Sequence, residues 1–149
     1  MTLKQQILSR YKELLQDRID VFQDMISGLT IDAQNDAKGS AGDKHETALS
    51  MMHIEQEKLT YKLKEILEQK AILVKIDASQ THKKVALGSL VQANGMTLFI
   101  STALPKLIIA EKTIFAISAQ SPLGSKLMGN EVGFSFDMNG KEYRIESLV

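Results

Sequence analysis

The segment Gly42-Asp43-Lys44-His45-Glu46 sets two carboxylates three residues apart at what reads as the start of a helix. Positions i and i+3 share a helical face, so both acids could point at one cation. Spacing alone favours a simpler role. Asp43 at the N-cap and Glu46 at the third helical position make a capping box, which satisfies free backbone amides and suits the positive end of the helix dipole. Two carboxylates are also too few to hold Mg²⁺ tightly, because that ion wants an octahedral shell of oxygens. If these acids work on a metal, a partner must share it.

Other candidates for chemistry are weaker. His45, Glu46 and His53 suggest zinc, yet the histidines stand eight residues apart and lack the His-Glu-x-x-His arrangement that puts two imidazoles on one helical face. His82 falls in a polar connector and is expected to be solvated. There is no Gly-rich phosphate loop, no nucleophile elbow and no serine with an evident histidine partner. Met51 and Met52 read as core filling, and Lys58, Lys62 and Glu65 as solvated helix surface.

The elements that must position the acids change character near residue 77. Before it, Leu8, Tyr11, Leu15, Phe22 and Met25 recur at three- and four-residue steps, Ile7, Leu14, Ile19 and Ile26 widen the stripe, and Arg18 interrupts it. A second helical stretch, from about Lys44 to Lys75, carries Ala48, Met52, Leu59, Leu63, Ile66 and Leu67 on its apolar side. The small polar run from Asn35 to Gly42 joins the two, which predicts an antiparallel hairpin. With arms of about 30 residues it is on the order of 45 Å long.

After residue 77 the pattern is one of strands and turns. Val85 to Ala93, Asn94-Gly95 and Met96 to Ser101 read as a β-hairpin, since Asn-Gly favours the positive φ of a tight turn. Ile114 to Ile117 is a further strand. Ser121 as cap, Pro122 at the first helical position and Gly129 as terminator predict a short helix. Phe134 to Met138 and Lys141 to Leu148 flank Asn139-Gly140 as a second hairpin. The expected class is α+β, with a coiled-coil hairpin over 1–76, a linker over 77–84 and a small antiparallel sheet domain with one short helix over 85–149.

Composition narrows the function. The chain has 149 residues, 44% hydrophobic, with 18 basic and 18 acidic side chains and no cysteine. It is long enough to bury a core. The missing cysteines exclude disulfides, thiolate metal sites and thiol nucleophiles. Zero net charge argues against autonomous binding to DNA or RNA, which calls for a basic excess. The chain lacks an apolar run of about 18 residues, and its first ten residues lack the apolar stretch of a signal peptide, so a soluble cytoplasmic protein is expected.

Ser121-Pro122-Leu123-Gly124, Leu127, Gly129, Gly133, Gly140, Tyr143 and Ile145 stand in the order and nearly the spacing of the FKBP-like domain of one family, whose second long helix also opens on Gly-Asp-x-x-Glu, here Gly42 to Glu46. The chain thus resembles the Gre family of bacterial transcript cleavage factors. That resemblance implies a monomer that binds bacterial RNA polymerase, its FKBP-like domain docking through the region of Ser121, Pro122, Leu123 and Gly124 while the hairpin enters the secondary channel. Asp43 and Glu46 would then help hold a second Mg²⁺, shared with the polymerase and the 3′ end of backtracked nascent RNA. The protein would have no active site of its own. The hairpin turn departs from the family pattern at Lys44, His45, Thr47 and Ser50, and Phe134 replaces an acidic residue. Those departures keep open a channel regulator that does not stimulate cleavage. An FKBP-like prolyl isomerase or chaperone, disfavoured by the lack of tryptophan and of an evident aromatic cluster, and a dimerising coiled coil are further alternatives.

Overall fold

The computed structural model describes residues 1–37 and 43–149, with side chains throughout these except at 33–37 and 43–45. Packing divides the chain into two compact units, one formed by Met1–Lys12 with Ala71–Val149 and the other by Glu13–Lys70. The class is α+β: two long helices, α1 (Leu3–Ala37) and α2 (Asp43–Val74), precede a six-stranded sheet with one short helix. Among the described residues no helix is long and apolar enough to cross a membrane.

The unit Glu13–Lys70 is an antiparallel helix pair. Lys70 Nζ donates to Gln16 Oε1 at 2.9 Å and Gln56 Nε2 to Thr30 Oγ1 at 2.7 Å, so numbering rises on α1 as it falls on α2. On α2 the seam keeps the expected stepping through Met52, Gln56, Leu59, Leu63 and the buried Ile66. Within the pair α1 contributes Leu15, Ile19, Phe22, Ile26 and Leu29 at alternating steps of four and three, Leu15 and Ile19 being buried. Arg18 therefore lies outside the seam rather than interrupting it, and Met25 is 50% exposed. Leu67 and Met51, expected on the apolar side and in the core, are likewise exposed.

In the other unit, α1 opens with a capping box unrecognised in the sequence. Gln5 N–H donates to Thr2 Oγ1 at 3.2 Å, and Thr2 N–H donates back to Gln5 Oε1 at 2.9 Å. The strands are β1 (Leu90–Ala93), β2 (Met96–Ser101), β3 (Leu104–Ile109), β4 (Lys112–Ser118), β5 (Ser135–Met138) and β6 (Lys141–Leu148), in spatial order β3-β4-β2-β1-β6-β5. The sheet is mixed rather than wholly antiparallel, because β2 and β4 run parallel, Thr97 to Ser101 beside Ile114 to Ser118. The chain leaves β2, skips one position to lay down β3 at the edge, and returns as β4 in the gap.

Alternation along β1 sorts the two faces. Val91 and Ala93 join Leu98, Ile100, Ile145, Val85 and Leu127 in one buried cluster, and Leu127 comes from the short helix α3 (Pro122–Leu127). On the other face Phe99 stacks on Tyr11 with centroids 6.2 Å apart, and the Tyr11 hydroxyl donates to Pro105 O at 2.7 Å. Burial pushes the Tyr11 phenol up to about 12, so it stays a neutral donor. Ile7, Leu73 and Ile76 are buried as well. Gly88, at φ +89°, fits because a Cβ there would come within 2.7 Å of Ile76 Cγ2.

Asn94-Gly95 and Asn139-Gly140 form the anticipated turns, all four residues at positive φ. Val85–Ser89, by contrast, is not strand. Val85 exchanges backbone hydrogen bonds with Gly129 and Asn130 beyond α3, and the Ser89 hydroxyl accepts the Ala86 N–H, closing a turn. A third hairpin, β3–β4, turns on Ala110 (φ 52°) and Glu111 (φ 65°), two residues that bear a Cβ in the left-handed region. That conformation costs about 1–2 kcal/mol per residue for ordinary L-residues. Replacing the pair by Asn-Gly is expected to raise stability by about 1 kcal/mol, read as a higher denaturation midpoint; an unchanged or lower midpoint would show that the turn is not strained.

Candidate functional site

Asp43 is itself a helical residue of α2 rather than its N-cap, so Asp43 and Glu46 occupy the first turn, on positions that share a face. Gly42 lies outside the described residues, as do the side chains of Asp43, Lys44 and His45. Glu46 and Thr47 are exposed, as are Ser50 and His53 further along the helix. Among the described residues no group of three or more histidines or acids is arranged to hold a metal. As a donor set for Mg²⁺, two carboxylates on one helical turn would supply part of an octahedral shell.

The turn at Ser121 to Gly124 is built by its own residue types. Ser121 caps α3, its Oγ accepting Gly124 N–H at 3.0 Å and donating to Ser118 O at 2.7 Å. Pro122 takes the first helical position, where no amide is needed. Gly124 is buried where a Cβ would fall 2.0 Å from Ser118 O, so no side chain fits without moving backbone. Leu123 packs toward the core, leaving Pro122 as the exposed member of the four.

Three groups escaped the sequence reading. Lys4 is 4% exposed, its Nζ donating to Gln80 O at 2.7 Å. The signal was present, because Lys4 stands four before Leu8 and seven before Tyr11 on the apolar stripe. His82 is half-buried rather than solvated, and it does have a serine partner: Nδ1 lies 2.7 Å from Oγ of the fully buried Ser89. Since Ser89 Oγ already accepts the Ala86 N–H, its hydrogen is best used toward His82 Nδ1, which makes the imidazole neutral. The serine is packed away from solvent and serves the turn, not nucleophilic chemistry. Finally, Phe134 just before β5, Phe136 on β5 and Tyr143 on β6 form a row, with centroids 6.0 Å and 5.4 Å apart. An aromatic cluster thus exists that the linear spacing hid, because Tyr143 reaches Phe136 only through strand register.

Burial, with the Lys4 cation adding to it, holds the His82 imidazole below its ordinary value. The unfolded chain then binds a proton that the folded chain refuses, so this contribution is fully present above about pH 6.5 and is lost as pH falls below it, through the lower folded value. His82→Gln is expected to flatten the fall in urea midpoint between pH 7.5 and pH 5.5. An equal fall in both proteins would mean that His82 does not titrate against folding.

No protein-family model matches this chain, and the curated proteins contain no significant match to it.

Proposed function

We propose that this protein is a Gre-like elongation factor, which binds bacterial RNA polymerase and stimulates cleavage of backtracked RNA through Asp43 and Glu46. The observation that carries the reading is the placement of these two acids in the first turn of the second arm of an antiparallel hairpin, within a chain that continues into a small mixed sheet domain. The order of Ser121-Pro122-Leu123-Gly124 and the following glycines supports it, and the exposed Pro122 turn is the proposed docking region.

The role of the chain's own residues follows from their charge and position. Asp43 and Glu46 would offer oxygens from one rigid helical turn, and the polymerase would complete the shell. A second Mg²⁺ held this way supplies charge neutralisation at the attacking and leaving oxygens of an in-line displacement. A weak pair suffices because it acts only when presented to a site that already holds most of the ligands. Lys44, with His45 when protonated, favours a second reading, a channel regulator that does not cleave, because a cationic neighbour would compete for the same carboxylates.

The test is RNA cleavage in a stalled, backtracked elongation complex made with the polymerase of the same organism. Shortening of the transcript from its 3′ end faster than with polymerase alone supports the cleavage factor. Binding without faster cleavage assigns the regulator, and absence of binding removes both.

A further inference from the structure

A cavity of about 330 Å³ lies in the sheet-bearing unit, lined by the first turn of α1, the segment 78–81 and residues of β1, β4 and β6. Two lysines line it, Lys4 and Lys112, and no aspartate or glutamate does; Val149 also lines it, its backbone oxygen accepting the Leu90 N–H at 3.1 Å. Leu3 and Leu90 give it apolar wall, and Ser79 and Ser147 add hydroxyls. Such a volume falls at the lower end of small-molecule sites, and the mix of apolar wall with a few polar groups is typical of them.

The buried lysine is what sets the ligand class. Lys4 is 4% exposed and has three donors, of which one reaches Gln80 O. Among the described residues it joins no carboxylate in an ion pair. The charge of Asp77 acts on it, but the Asp77 carboxylate is exposed and accepts the N–H and hydroxyl of Ser79 instead. A buried ammonium held by one carbonyl is costly, and an entering anion would offset that cost. The turn beside it adds donors of its own. The capping box of α1 uses the amides of Thr2 and Gln5, and the amides of Leu3 and Lys4, at the first helical positions, have no helical acceptor.

We infer that this cavity binds a small amphipathic anion, an oxyanion head of carboxylate or phosphate type set against Lys4 and a short apolar body against Leu3 and Leu90. The site is independent of the proposed polymerase activity and needs no partner.

The experiment is calorimetric titration of the full chain with hexanoate, hexyl phosphate, hexanamide and inorganic phosphate, on wild type, Lys4→Met and the exposed control Lys126→Met. Hexanoate or hexyl phosphate should saturate one site, the stronger of the two naming the head group. Hexanamide and inorganic phosphate should each bind at least tenfold more weakly, since one lacks the charge and the other the apolar body. Lys4→Met should fold, because it replaces a buried charge by an apolar chain of similar length, and should lose at least tenfold in affinity while Lys126→Met loses none. If Lys4→Met does not fold, amide shifts at Leu3, Lys4 and Leu90 in labelled wild type, moved by hexanoate and left in place by hexanamide, give the same reading. No saturable binding of either alkyl anion, equal binding of hexanamide or inorganic phosphate, or full affinity in Lys4→Met would each overturn the assignment.

Discussion

The double variant Asp43→Asn/Glu46→Gln is expected to lose stimulated transcript cleavage by on the order of 10²-fold or more while keeping its fold and most of its affinity for polymerase. These substitutions separate the two roles that the spacing of the acids allows. Asn and Gln keep the size and polar groups of Asp and Glu at the start of a helix, so the variant preserves local hydrogen bonding while removing both negative charges. The lost interaction with the helix dipole costs about 0.3–1 kcal/mol per residue, too little to unfold a domain. A cleavage rate equal to wild type would leave these residues a role in the helix start alone. Loss of binding with the helical circular dichroism intact would instead make them docking residues.

The largest effect on stability is expected from Leu127→Asp. Leu127 is fully buried, in one cluster with Val85, Val91, Leu98, Ile100 and Ile145. The substitution removes a packed side chain and introduces a carboxylate with no cation in the cluster to meet it. Together these terms cost more than about 4 kcal/mol, a large part of the 5–15 kcal/mol that holds a typical domain. The sheet-bearing unit should lose its cooperative melting transition, whereas Leu127→Met should stay within about 1.5 kcal/mol of wild type. A melting midpoint unchanged by the aspartate would place the core elsewhere than around α3.

What was legible in the sequence had a local cause. The two Asn-Gly turns announced their hairpins because those residues tolerate positive φ, and all four adopt it. Ser121, Pro122 and Gly129 announced α3 in the same way. The β3–β4 hairpin was missed because Ala110 and Glu111 carry no turn signature, the sheet compelling a conformation that their side chains resist. The strand reading of Val85–Ser89 failed for the opposite reason, since the apolar alternation there serves α3 and a serine-closed turn. Nor could the stepping tell which of Met25 and Ile26 enters the seam; Ile26 does, and Met25 is exposed.

The candidate site divides along the same line. Its acidic pair is written in sequence because i and i+3 are local. Lys4 with Gln80, His82 with Ser89, and Phe136 with Tyr143 depend on where strands and turns bring distant residues, and register decides them.

The central claim, that the start of α2 reaches the catalytic centre of the polymerase, is open to a direct measurement. The chain contains no cysteine, so Ser50→Cys, exposed one turn beyond Glu46, can carry a single photoreactive group. Bound to an elongation complex whose nascent RNA is radiolabelled and backtracked, the probe should cross-link to the RNA 3′ end, and the same group on Lys126→Cys in α3 should not. A bound protein whose probe at position 50 never labels the RNA, or labels it no better than the probe at position 126, would contradict the account.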